Sequence, residues 1–207
     1  MKILIHILVI AVLLIGGCHS SQESSSRAGY DFSELEKIAI VAVEGTIKSE
    51  VAKDEIADFF AMELLKKGYA PIGRAQVRKS LQGKESELKD LSITEGAVEA
   101  GKILEVPVVL AIHIPHFGEE ISISAKMIDV EDGSILWLSG GSGRGGSAFS
   151  RVFGMGEGNG NDELLGPIMG EVGDVTNQPL TPREAKKAQS IVKRMCQSLP
   201  SKITLEW

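Results

Sequence analysis

Ile38-Ala39-Ile40-Val41-Ala42-Val43 is an unbroken apolar run of strand length. A strand with one wet face alternates apolar and polar residues. A run without alternation predicts a strand covered on both faces. Such a strand needs helices above and below it, which implies a layered α/β fold.

The residues that follow supply those helices. Ser49 has the chemistry of an N-cap for a helix running to about Lys67. Ala52, Ile56, Phe59, Phe60 and Leu64 share one face of it at helical spacing. Glu50 stands at its positive end and Lys66-Lys67 at its negative end, and Gly68 ends it. A short strand is predicted over Tyr69 to Ile72, then a helix over Arg74 to Gln82 with Val77 and Leu81 inward. Lys84 to Leu91 is polar and gives no clear pattern. Ser92-Ile93-Thr94-Glu95 has capping-box spacing and opens a helix carrying Val98, Ile103 and Leu104. Pro107 precedes a second apolar run, Val108 to Ile114.

Ile121, Ile123, Ala125 and Met127 alternate with Ser122, Ser124 and Lys126, the pattern of a strand with one wet face. Asp132-Gly133 is a hairpin signal, and Ile135 to Leu138 returns antiparallel. Gly140 to Gly173 holds about half of the chain's 23 glycines and no sustained period, so 140–178 is expected to be a long glycine-rich loop. Thr181-Pro182-Arg183-Glu184 combines an N-cap, Pro at the first helical position and Glu three residues after the cap. The helix it opens carries Ala185, Ala188, Val192, Met195, Cys196 and Leu199 in one stripe, and Pro200 stops it. The fold class is therefore a single α/β domain over 37–207, with a mixed sheet flanked by helices.

Upstream of the domain the chain changes character. Lys2 is a short positive start, and Ile3 to Ile15 is apolar apart from His6. Thirteen helical residues cover roughly 20 Å, short of a hydrocarbon core of about 30 Å. Residues 1–17 therefore read as a signal peptide rather than a spanning helix. Leu14-Ile15-Gly16-Gly17-Cys18 closes the run. It resembles the lipobox of bacterial lipoproteins. That resemblance implies cleavage before Cys18, a diacylglycerol thioether on its sulfur, an acylated new amine such as palmitate, and anchoring by those chains. An ordinary secretory signal followed by an unrelated cysteine is the competing reading. His19 stands where Asp would, in enteric bacteria, resemble an inner-membrane retention signal; this lineage-dependent rule points to the periplasmic face of the outer membrane, with the outer face of the plasma membrane as the alternative. Residues 18–36, Ser-rich and poor in apolar groups over Ser20 to Gly29, are expected to be a flexible tether.

Composition narrows the function classes. The net charge is −6, and Lys and Arg are spread along the chain, so a nucleic-acid footprint is absent. The acidic balance also argues against direct docking onto anionic lipid by charge. Beyond Cys18 the sequence has only Cys196, so no disulfide can staple the domain. Cys196 reads as a buried helix residue.

Several constellations are weighed and declined. Gly141-Ser142-Gly143-Arg144-Gly145-Gly146 matches a dinucleotide fingerprint in letters. It lacks the helix that must open at the last glycine and the acidic strand end that should follow. His113 and His116 flank Pro115, but no third metal ligand is placed, although Glu119 and Glu120 lie nearby. Asp129 and Asp132 are too few for calcium, and Asp132 reads as a turn former. Arg74 could mark a partner site, but reads as a structural residue that pairs with a carboxylate and caps its helix. Ser147 and Ser150 have no nucleophile elbow. No catalytic residue, metal ligand or cofactor is assigned; Cys18 is the assigned site, for lipidation.

Three stretches together resemble one family. They are Gly73-Arg74 with Val77 and Leu81, then Ala100-Gly101-Lys102-Ile103-Leu104 before the Pro107 to Ile114 strand, and Ile128-Asp129-Val130-Glu131-Asp132-Gly133-Ser134-Ile135-Leu136-Trp137. The family is that of the curli secretion-channel-like (CsgG-like) bacterial lipoproteins, related to the LpoB penicillin-binding-protein activators and to a TolB-type domain. The resemblance implies a non-enzymatic adaptor in envelope assembly or secretion. Its partners would be envelope proteins of the secretion or cell-wall machinery, with homo-oligomerisation compatible. The alternative is a subunit of an oligomeric curli-type outer-membrane channel. That alternative needs about ten residues of alternation per spanning strand, which Gly140 to Gly173 lacks.

Overall fold

The computed structural model describes residues 22–84, 88, 91–144 and 177–202. Cys18, residues 1–17 and most of the expected loop (145–176) lie outside the described residues.

One mixed sheet of six strands organises the described chain. The strands are β1 (Gln22–Ser26), β2 (Lys37–Gly45), β3 (Ala70–Ile72), β4 (Val108–His116), β5 (Glu120–Asp129) and β6 (Ile135–Arg144). The helices are α1 (Glu50–Lys66), α2 (Arg74–Ser80), α3 (Ile93–Ile103) and α4 (Pro182–Met195). The sheet order is β1-β6-β5-β4-β2-β3. β2 is parallel to β3 and to β4, and the remaining pairs are antiparallel.

The Ile38–Val43 run is covered on both faces, as its lack of alternation predicts. Ile38, Ile40 and Val43 face the larger core, where α1 and α4 lie with Ile56, Phe60, Leu64, Ile191 and Met195. Ala39 faces the smaller core with Val77, Ala97, Ala100, Val109 and Ile128, under α2 and α3. The pairing with β4 shifts by one residue between Ile40 and Ala42. That shift lets Val43 rejoin the side of Ile40.

The caps form where the sequence places them. The Ser49 hydroxyl accepts from Ala52 N–H. Ser92 with Glu95, and Thr181 with Glu184, make complete capping boxes. Helix α3 packs through its small residues: Ala97, Ala100 and Gly101 are buried, while Val98, Ile103 and Leu104 are half-buried. A Cβ on Gly101 would come within 2.4 Å of Val130 and 2.8 Å of Val109, so that helix lies close enough to the sheet to exclude a side chain.

Two expectations are corrected. Residues 18–36 are not wholly a tether: Gln22–Ser26 pairs antiparallel with β6, from Gln22 opposite Gly141 to Ser26 opposite Trp137. An edge strand with solvent beside it needs no apolar side chains. Low hydrophobicity therefore excluded a core strand but not an edge strand. The expected 140–178 loop begins too early. Gly140 to Arg144 complete β6, paired with Glu120 to Ser124 of β5. Gly141 and Gly143 are bare because α4 crosses them. A Cβ on Gly141 would meet Ile191 at 2.9 Å and Met195 at 3.1 Å. These glycines serve close packing, not a turn.

Candidate functional site

The hairpin between β5 and β6 consumes the acids weighed for calcium. Gly133 N–H donates to Asp129 C=O at 3.0 Å, with Gly133 at φ +72°. Asp129 Oδ1 accepts from Glu131 N–H, and Asp132 Oδ1 from Ser134 N–H, both at 2.8 Å. The Ser134 hydrogen bonds hold the Asp132 carboxyl below its ordinary range. These carboxylates shape the turn.

His113 and His116 both sit on β4, opposite Ser124 and Ser122 of β5, with a pairing irregularity between them. Both side chains are exposed. Among the described residues no cluster of three or more His, Cys, Asp or Glu side chains could hold a metal ion. Of the glycine fingerprint, Gly141 to Arg144 lie in β6, and Gly145-Gly146 lie outside the described residues. Cys196 is 2% exposed, and burial, with Glu63 nearby, pushes its thiol up to about 12. A protonated and enclosed thiol is a poor nucleophile.

Arg74 is the centre of a charged cluster joining α1 to α2. Its guanidinium donates to Glu50 Oε2 and to Asp54 Oδ1, each at 2.6 Å. Arg78 reaches the same two carboxylates, and Lys53 donates to Glu50 Oε1 at 2.7 Å. Burial alone would raise the Glu50 carboxyl, but the hydrogen bonds from Lys53 and Arg74 outweigh it and hold it down to about 2. Arg74 is buried, whereas Arg78 is exposed. The structural reading of Arg74 holds, and the cluster clamps two helices together.

Arg74→Ala is expected to cost about 2 kcal/mol of stability, because it strips a buried cation from two part-exposed carboxylates. Arg78→Ala should cost under about 1 kcal/mol, since its pairs are solvated. Denaturant midpoints at neutral pH check both. The sign with pH follows from Glu50, whose folded value lies below its unfolded one. Its contribution is present above about pH 4.5 and is lost as pH falls toward about 2. The Arg74→Ala midpoint should therefore depend less on pH across that window than the parent's.

Among the described residues, two exposed surfaces are candidates for a partner. One is the outer side of β1, whose described side chains from Glu23 to Ser26 are all exposed. The other is the solvent face of α4. Arg183, Lys186, Ser190 and Lys193 recur there at helical spacing and are all exposed. Nearby, Lys187 donates to the Glu119 carbonyl at 2.5 Å and Arg194 to the Ser142 carbonyl at 3.4 Å. Burial, then the charge of Arg183, lowers the Lys187 ammonium from its usual value. Helix α4 packs over the β1–β6 edge through its buried side: it contacts β1, and Ile191 and Met195 cover Gly141, the register partner of Gln22, which leaves the basic stripe on the side away from the sheet. Reading the chain's charge as spread out missed this basic stripe. Placing Arg183, Lys186 and Lys193 on the helix opened by Thr181 was enough to find it.

No family model and no curated protein matches the chain. Among solved structures, the PelC dodecamer from Paraburkholderia phytofirmans aligns over 87% of this chain and 99% of its own, at 14% identity and a TM-score of 0.50. The chain is similar in fold to PelC. At this identity PelC speaks for the fold alone: a mixed sheet flanked by helices in one domain. Lipoprotein GNA1162 from Neisseria meningitidis aligns over 57% of this chain and 88% of its own, with 20% identity and a TM-score of 0.45. The LpoB C-terminal domain from Salmonella enterica aligns over 67% and 93%, with 13% identity and a TM-score of 0.41.

Proposed function

We propose that the chain is a lipid-anchored envelope lipoprotein acting as a non-enzymatic adaptor in cell-envelope assembly or secretion. Cys18 carries the acyl chains, and the domain works at the periplasmic face of the outer membrane through protein–protein contacts. The observation that carries this reading is the Leu14-to-Cys18 lipobox, placed directly ahead of a folded α/β domain. The fates of the weighed side chains agree with it. Arg74, Asp129 and Asp132 are occupied in structure, and Cys196 is enclosed. The CsgG-like resemblance of the three quoted stretches supports an envelope role.

Mass spectrometry of the natural protein tests the anchor. A mature chain beginning at an acylated Cys18 is expected. An intact Met1, or an unmodified Cys18, would overturn it. Cys18→Ala should move the protein from the membrane fraction to the soluble one, since each buried methylene contributes about 0.8 kcal/mol to anchoring. Crosslinking in cells, with recovery of envelope proteins on a monomeric chain, tests the adaptor role.

A second reading, a subunit of an oligomeric channel, draws on the similarity in fold to PelC, whose structure is a dodecamer. Ring-shaped particles or conductance from purified protein would favour it over the adaptor.

A further inference from the structure

We propose that the β1 corner of the sheet and the basic stripe of α4 together rest on the anionic surface of the bilayer that holds the Cys18 lipid. The inference rests on the anchor proposed above and adds a distance and an orientation to it.

The distance comes from chain reach. Strand β1 begins at Gln22, and four peptide spacings from Cys18 to Gln22 span at most about 14 Å. A free tether over 18–36 would instead reach roughly 60 Å. A domain of this size is about 40 Å across. The lipid therefore holds the start of β1 within less than one domain radius of the headgroups, and the domain cannot stand clear of them.

The orientation comes from charge. The chain as a whole is acidic at −6, so most of its surface is repelled by an anionic bilayer. Helix α4 differs from α1, which packs beside it and carries five acids and two lysines; the arginines of α2, Arg74 and Arg78, are bound to Glu50 and Asp54. Helix α4 carries Arg183, Lys186, Lys187, Lys193 and Arg194 against one acid, Glu184, which is turned to the Thr181 cap. Arg183, Lys186 and Lys193 lie on its exposed side. Close to an anionic membrane, exposed basic residues are attracted to the surface. The leash alone would allow the domain to roll, and this stripe selects one side. Helix α2 lies at the β3 edge, on the opposite face of the sheet, and is turned away toward the compartment.

The test uses the acylated mature protein in vesicles of phosphatidylethanolamine and phosphatidylglycerol containing a nickel-chelating lipid. A nitroxide is attached at Ser190→Cys on α4 or at Gln76→Cys on α2, both exposed positions. Cys196 is enclosed and Cys18 is blocked by its lipid, so the label goes to the new thiol. Relaxation by the headgroup nickel is expected to be several-fold stronger at residue 190 than at residue 76. The difference should shrink with Arg183→Glu, Lys186→Glu and Lys193→Glu combined. It should also shrink at 1 M salt, where the screening length is about 3 Å.

Equal relaxation at the two sites on bound protein, or stronger relaxation at residue 76, would overturn the orientation while leaving the anchor intact. A difference that survives charge reversal would overturn the part assigned to α4. Protein that carries no lipid and stays off the vesicles would overturn the anchor and this inference with it.

Discussion

Trp137→Ala is expected to cost about 3–5 kcal/mol, a large fraction of the 5–15 kcal/mol typical of a domain. Trp137 is 1% exposed, on the side of β6 that faces α1 and α4. It lies opposite Met127 of β5 and Ser26 of β1, so it belongs to the three strands at that end of the sheet. Its indole N–H donates to the Ser198 hydroxyl at 3.2 Å, which in turn donates to the Met195 carbonyl at 3.0 Å. The ring therefore ties the sheet to the C-terminal end of α4. Truncation leaves a void the size of an indole under that helix, and backbone on both sides limits collapse. Trp137→Phe keeps most of the apolar volume and loses the hydrogen bond, so about 1–2 kcal/mol is expected. Urea denaturation of the three proteins checks the order. A Trp137→Ala midpoint close to the parent's would show that β6 is not fixed in the core as described.

What the sequence disclosed and what it hid follow from how local each signal is. Helix starts are written in adjacent residues, and Ser49, Ser92 and Thr181 each cap where their spacing indicated. The β5–β6 hairpin is equally local, carried by one alternating run and the Asp132-Gly133 turn. Strand β1 and the last residues of β6 are different. Neither has a period of its own: β1 is a strand because it pairs with β6, and the last residues of β6 because they pair with β5. The glycines of β6 are legible only once α4 is known to lie across them, a contact made by residues about fifty positions downstream. Pro115 illustrates the same limit. It sits inside β4 next to the pairing irregularity, where a missing N–H can be tolerated.

The candidate site was legible in a different proportion. Leu14 to Cys18, which resembles a lipobox, is contiguous, so that reading needs no fold. The partners of Arg74 are 20 and 24 residues away in sequence, on α1, so only packing could name Asp54 and Glu50. The contact between β1 and α4 joins residues from the two ends of the chain. Composition averages the basic charge of α4 into an acidic total, and only the packing of α4 over the β1–β6 edge places it near the start of the described chain.

Gly45→Ala is the other substitution with a large expected cost, about 3–4 kcal/mol from backbone strain and displaced pairing together. Gly45 ends β2 at φ +126°, a conformation that L residues rarely adopt, and it lies opposite Ile114 of β4. A Cβ there would stand 2.0 Å from the Ile114 carbonyl oxygen and 2.5 Å from its carbon. No side chain can rotate out of the way, because the obstacle is backbone. That same oxygen accepts from Thr46 N–H at 2.9 Å. Moving it loosens the junction through which β2 passes into the Ile47–Ser49 turn and the start of α1. The comparison with Gly140→Ala separates this from any general effect of filling glycines. Gly140 is also in the sheet, but a Cβ on it meets nothing within 4 Å. Adding a methyl there should leave stability unchanged or raise it by about 0.5 kcal/mol through lost unfolded-state entropy. Opposite signs for the two alanines in denaturant titrations are the expected result. Equal and small effects would mean that β2 and β4 do not approach as closely as this register requires.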